Sequence, residues 1–139
     1  MSPDRAALLA EKAAVIERHL ARVAARLPSE VGDLVPATDA ADAVILHLWQ
    51  AVQVAIDLAI AECVRRQLPA PASYAEAFRA LGGVGLLPPQ LAGRLARAAG
   101  FRNLVAHAYG SLDMARVFRA AQDGPADLRA FLRALRDAG

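Results

Sequence analysis

One cysteine, one lysine, one tryptophan and two tyrosines stand among the 139 residues of this chain. The lone Cys63 excludes an internal disulfide and fits a reducing cytoplasm. Aromatics make up only 5 % of the chain, whereas hydrophobic residues reach 56 %, much of that alanine. Alanine is the best helix former and a poor strand former, so the fold class expected is all-α. No apolar run is free of polar groups: the strongest one, 43–61, contains His47, Gln50, Gln53 and Asp57, too many for a lipid-facing helix. Asp4, Arg5, Glu11 and Lys12 stand where the apolar core of a secretory leader would lie, so none is expected. The chain is therefore read as soluble and cytoplasmic, with no membrane partner, and as one domain spanning 1–139.

Acidic residues are missing from one stretch. Between Ala77 and Leu112 stand Arg79, Arg94, Arg97 and Arg102 and no carboxylate, while formal net charge over the whole chain is only +2. A basic tract of this kind suits an anionic ligand, or else solvates a helix face. The fifteen arginines against one lysine fit a GC-rich genome, so their abundance alone carries little.

Five helical segments follow from spacing and punctuation. The first runs from about Pro3 to Leu27, capped by Ser2 or Asp4 and stopped by Pro28, with a loop over Ser29–Pro36. The second starts at Thr38 or Asp39, continues to about Gln67, and is apolar enough to be the central helix. Its polar stripe of His47, Gln50, Gln53 and Asp57 is either a solvent strip or one wall of a site. Trp49 and Cys63 are expected in the core. A short third helix spans Ser73–Leu81 behind a Ser-x-x-Glu capping box, and Gly82-Gly83-Val84-Gly85 reads as a flexible connection. The fourth starts at Leu87-Pro88-Pro89 and ends at Gly110, with Gly100 a candidate kink. The fifth covers Asp113–Arg136, divided or bent at Gly124-Pro125.

The fourth segment carries the chemistry. Arg102-Asn103-Leu104-Val105-Ala106-His107-Ala108-Tyr109 places a guanidinium, an amide, an imidazole and a phenol in eight residues that otherwise read as buried helix. Such groups are costly in an apolar segment unless something pairs with them. On an ideal helix Arg102 and Tyr109 share one face and Asn103 and His107 an adjacent one, so one polar edge is expected to carry all four. No second ligand stands at metal spacing, and an arginine repels a cation, so no metal is expected. Ser111 lacks the strand-to-helix elbow of a serine hydrolase. What remains is acid–base chemistry on a phosphate ester. His107 would move a proton at a ribose 2′-hydroxyl or at the leaving oxygen, and Arg102 would hold the phosphate. The 2′-hydroxyl as nucleophile selects RNA and spares DNA. One Arg–His pair supplies too little for both acid and base, so a homodimer with two motif helices near its axis is expected. The bland alternative is a structural histidine on a helix.

Residues 102–109, followed by Asp113, resemble the Arg-Asn-x3-His-x-Tyr signature of HepT-like toxins of the HEPN superfamily. The similarity extends to Ala51–Ala59, Ala72–Phe78 and the Leu81–Leu87 segment. It departs at Ala108, where an acidic residue is common, and at Gly110, where a bulkier one is frequent.

The resemblance implies an antiparallel bundle of four or five helices that dimerises along the motif helix. It implies the toxin of a type VII-like toxin–antitoxin pair, cutting RNA without a metal through Arg102 and His107. It further implies an MntA-type nucleotidyltransferase antitoxin that transfers AMP from ATP onto Tyr109, with no resident cofactor. Asn103 has two roles open, binding phosphate or orienting His107, beside a plain packing amide. Asp57 has three: pairing with Arg102, orienting His107, or facing water. The alternative function is a non-catalytic helical module that docks a minimal nucleotidyltransferase.

Overall fold

The computed structural model describes residues 1–138. Its elements are α1 (Pro3–Arg26), α2 (Asp39–Arg65), α3 (Tyr74–Gly83), α4 (Pro89–Ala108) and α5 (Met114–Asp137), with short 3-10 turns at Val31–Asp33 and Tyr109–Ser111. No strand occurs among the described residues, so the all-α expectation holds.

Local chemistry sets the ends. Ser2, Thr38, Ser73 and Asp113 each place a side-chain oxygen on a backbone N–H of the first turn of α1, α2, α3 and α5. Helix α2 closes with Gln67 at φ 58, its N–H donating to Val64 O and the Leu68 N–H reaching back to Cys63 O. The same double closure ends α3: Gly85, at φ +81, donates to Gly82 O, and Leu86 to Leu81 O. The glycine run is thus an ordered cap instead of a flexible connection, and α3 continues two residues past Leu81. Gly82 also lets α3 approach α4, since a Cβ there would stand 2.8 Å from Ala92 Cβ.

Helix α2 lies at the centre and touches α1, α3, α4 and α5. It alone is long and apolar enough to pass for a membrane span among the described residues, but it is the bundle's core helix, with Val44, Ile45, Leu48, Val52 and Ile56 buried. Contacts of Arg5 with Glu62 and of His19 with His47 show that α1 runs antiparallel to it. Gln53 with Arg102, and Asp42 with Tyr109, show the same of α4. Two adjoining clusters form the core, one around Ile16, Ile56, Phe78, Leu95 and Phe131, the other around Val44, Leu48, Phe101 and Val117.

Helix α5 passes unbroken through Pro125, so Gly124-Pro125 does not divide it into two helices, and α4 is continuous through Gly100. Burial on both sides of the proline, at Phe118, Ala121, Leu128 and Phe131, holds α5 continuous despite one missing N–H donor.

Candidate functional site

Arg102 leaves α4 towards α2 and α3 and is half-buried. Its Nε donates to Gln53 Oε1 at 2.6 Å, and the amide of Gln53 donates in turn to Asp57 Oδ1 at 3.0 Å. The guanidinium carbon stands 5.1 Å from the Trp49 ring centroid and 5.3 Å from that of Tyr74. Two aromatic faces and one amide therefore fix a cation that has no carboxylate of its own among the described residues. Its Nη1 makes only a long 3.4 Å contact to Asn103 Oδ1, so the outer edge of the fork keeps donors for an external anion.

Of the three roles open to Asp57, the structure shows the water-facing one, with no direct bond to Arg102 or His107 among the described residues. Asp57 is exposed and hydrogen-bonded, but it reaches Arg102 only through Gln53. The chain Asp57–Gln53–Arg102 makes the lower part of the α2 stripe a wall of the site. The upper part serves elsewhere: His47 Nδ1 meets His19 Nδ1 of α1 at 3.0 Å, with the rings stacked 5.3 Å apart. Trp49 is only half-buried, its ring against Arg102 instead of wholly in the core; Cys63 is buried as expected.

His107 is exposed near the end of α4 and makes no hydrogen bond among the described residues. No hydrogen bond joins it to Arg102 among the described residues. Five residues place the two about 140° apart around the helix, so one polar edge does not hold both.

Tyr109 departs further from expectation. The helix ends at Ala108, whose backbone turns to φ -141 and ψ 36, and Tyr109 opens a 3-10 turn. It therefore does not continue the Arg102 face. Its hydroxyl donates instead to Asp42 Oδ1 at 2.7 Å, in the first turn of α2. That hydrogen bond, together with partial burial and the carboxylate charge, pushes the phenol up to about 12.

The basic tract is partly neutralised. Arg79 pairs with Glu76 and Arg94 with Asp127, leaving Arg97 and Arg102 without ion pairs among the described residues. Arg97, with Arg116 and Arg119, rims a groove of about 320 Å³ between α4 and α5 floored by Leu48, Val52 and Phe101. That groove contains neither Arg102 nor His107. No group of three or more histidine, cysteine or acidic side chains that could hold a metal ion occurs among the described residues.

Sequence reasoning gave no site role to Tyr74 or Asp42 and assigned Trp49 to the core alone. Tyr74 follows the capping serine of α3 and was legible only as part of the box; its proximity to Arg102 comes from packing of α3 on α4.

The model of the family described as HepT-like ribonucleases matches residues 16–135. Among solved structures, the tri-AMPylated HEPN toxin of Shewanella oneidensis in complex with MNT antitoxin is similar at TM-score 0.84 and 25 % identity, over 99 % of each chain. A mutant MntA–HpeT toxin–antitoxin complex matches at TM-score 0.83 and 25 % identity, over 93 % of this chain and 98 % of that one. A toxin–antitoxin structure with AMP-PNP matches at TM-score 0.83 and 25 % identity, over 93 % and 97 %. No curated protein matches the chain.

Proposed function

The chain belongs to the HepT-like ribonuclease family, and from that premise we propose that it is the toxin of a toxin–antitoxin pair and cuts RNA without a metal. The observation that carries this reading is the setting of Arg102, a half-buried guanidinium clamped by Trp49, Tyr74 and Gln53 with its outer donors open. A cation pre-positioned in this way suits a phosphate whose negative charge grows in the transition state.

In the proposed reaction the ribose 2′-oxygen attacks the adjacent phosphorus and the bond to the 5′-oxygen breaks. His107 takes the 2′-proton or gives one to the leaving oxygen. Because Arg102 and His107 stand apart within one protomer, the working unit is a homodimer. Its two motif helices face one cleft, and a His107 of each copy serves the acid and base roles. Asn103, exposed beside Arg102, contributes a further donor to the phosphate, while Asp57 acts through Gln53 as a positioning residue.

Tyr109 is the residue that an MntA-type nucleotidyltransferase modifies with AMP from ATP, which blocks RNA by adding an anionic nucleotide beside the motif. The AMPylated state and the antitoxin complexes of the similar structures support this reading. The pair acts in the cytoplasm, and residues 1–139 work as a single HepT-like unit.

Expression of the chain and of His107→Ala, with growth and total RNA integrity followed in parallel, tests the proposal. Growth arrest and RNA decay only with the parent, while the folded variant is harmless, is the expected result. Intact RNA in both cases would overturn it and leave the docking module as the function.

A further inference from the structure

The phenol of Tyr109 and the carboxylate of Asp42 meet across 67 positions of sequence, and the carboxylate is not needed to cap its helix. Thr38 already caps α2 through its side chain, and Asp42 has no arginine or lysine ion pair among the described residues. Among the described residues, the one side-chain hydrogen bond of Asp42 is the 2.7 Å bond it accepts from the Tyr109 hydroxyl. Both residues are exposed, Tyr109 to 47 %, so a nucleotide held by a partner enzyme can reach the phenol oxygen.

We infer that Asp42 is the base for nucleotidylation of Tyr109, so that the toxin carries within its own chain the proton acceptor for its inactivation. The inference rests on the reading of Tyr109 as the modified residue. In the transfer, the phenol oxygen forms a bond to the α-phosphorus of a nucleoside triphosphate. The bond from that phosphorus to the bridging oxygen breaks, pyrophosphate leaves, and the phenol proton passes to Asp42 and then to water. Protein kinases use an aspartate in the same relation to the hydroxyl they phosphorylate. A base is needed here because the hydrogen bond holds the phenol neutral: with its pKa at about 12, about one molecule in 10⁵ is phenolate at pH 7.

The geometry has a second consequence. The aryl phosphodiester formed has no O–H to donate, and its phosphate anion is repelled by the carboxylate. The modified tyrosine therefore leaves Asp42, and an AMP added to a hydroxyl of the bound nucleotide joins out of its reach. Asp42 serves the first transfer alone.

The test uses the full chain, the MNT antitoxin of the Shewanella complex, ATP, and intact-mass spectrometry between pH 6 and 9. Asp42→Asn keeps the acceptor oxygen but cannot take a proton; circular dichroism verifies its fold, and Tyr109→Phe verifies the site. The first AMP is expected about 10²-fold more slowly in Asp42→Asn at pH 7, with a rate that climbs with pH where the parent's stays flat. Later additions to a chain already carrying one AMP are expected at the parent's rate. Equal first-transfer rates and pH profiles, or a faster variant, would overturn the assignment. A parent that accepts no AMP overturns the nucleotidylation reading itself. Asp42 is then judged separately with a tyrosine-directed arylsulfonyl fluoride, which must label Tyr109 faster in the parent than in Asp42→Asn for the base assignment to stand.

Discussion

Replacing Glu62 by glutamine is expected to destabilise the fold by about 2–3 kcal/mol at pH 7 and by little near pH 2. The carboxylate is 4 % exposed and receives Arg5 Nη2 at 2.7 Å, Arg65 Nη2 at 2.6 Å and Arg66 Nε at 2.9 Å, which ties the start of α1 to the end of α2. Burial alone would raise its pKa; the hydrogen bonds from Arg65, Arg66 and Arg5 outweigh it and lower the value from 4.5 to about 2. A drop of that size corresponds to about 3 kcal/mol. The arginines are 20–44 % exposed, so water screens part of the attraction and sets the lower end of the range. The sign follows from the depressed carboxylate: its contribution is complete above pH 4.5 and is lost as pH falls towards 2. Urea denaturation of parent and Glu62→Gln, followed by far-UV circular dichroism at several pH values, reads it directly. In thermal melts at pH 7 the variant's Tm is expected about 10 °C lower. A gap below about 0.5 kcal/mol at pH 7, or one that does not narrow in acid, would refute the reasoning.

The clamp on Arg102 gives a second expectation. Gln53→Ala removes a hydrogen bond to a charged group, partly exposed, and is expected to slow RNA cleavage about tenfold, with Asp57→Asn costing about two- to threefold. Unchanged single-turnover rates for Gln53→Ala would show that the clamp is idle. His19 and His47 share a contact that admits one Nδ1 proton at most. Burial first, then the charge of His47 and of Arg18 and Arg22, lowers the His19 pKa; burial, then Arg22 and Arg26, lowers that of His47. Stability from this pair is complete above pH 6.5 and is lost as pH falls below it, so the urea midpoint of His19→Asn is expected to drop less than the parent's between pH 7.5 and 5.5. Gly82→Ala forces a Cβ to 2.8 Å from Ala92 Cβ, a contact that no rotamer relieves. Its expected cost is about 1–3 kcal/mol in the same denaturation assay, and a neutral result would mean that α3 and α4 part freely.

Helix number, order and most helix ends were legible because they depend on local chemistry: apolar spacing, the caps Ser2, Thr38 and Ser73, and the stop at Pro28. The motif was legible for the same reason, as polar groups inside an apolar helical run. Local rules failed where packing outweighs them. Pro125 did not break α5, since burial on either side offsets one lost hydrogen bond, and the glycines after Leu81 formed a closed cap instead of a loose joint.

The sequence by itself determined that this chain is helical, that α2 is its core helix, and that Arg102 and His107 are its chemically distinctive pair, because each is written in residue type and short spacing. Only the tertiary structure decided what these groups face. Periodicity places a side chain on a face of its own helix; it does not say which residues of another helix stand opposite. That Arg102 lies between Trp49 and Tyr74, that Asp57 reaches it only through Gln53, and that Tyr109 turns away from its helix to Asp42 are contacts between elements 20 to 70 positions apart. They follow from how the helices pack, which no single stretch of sequence records.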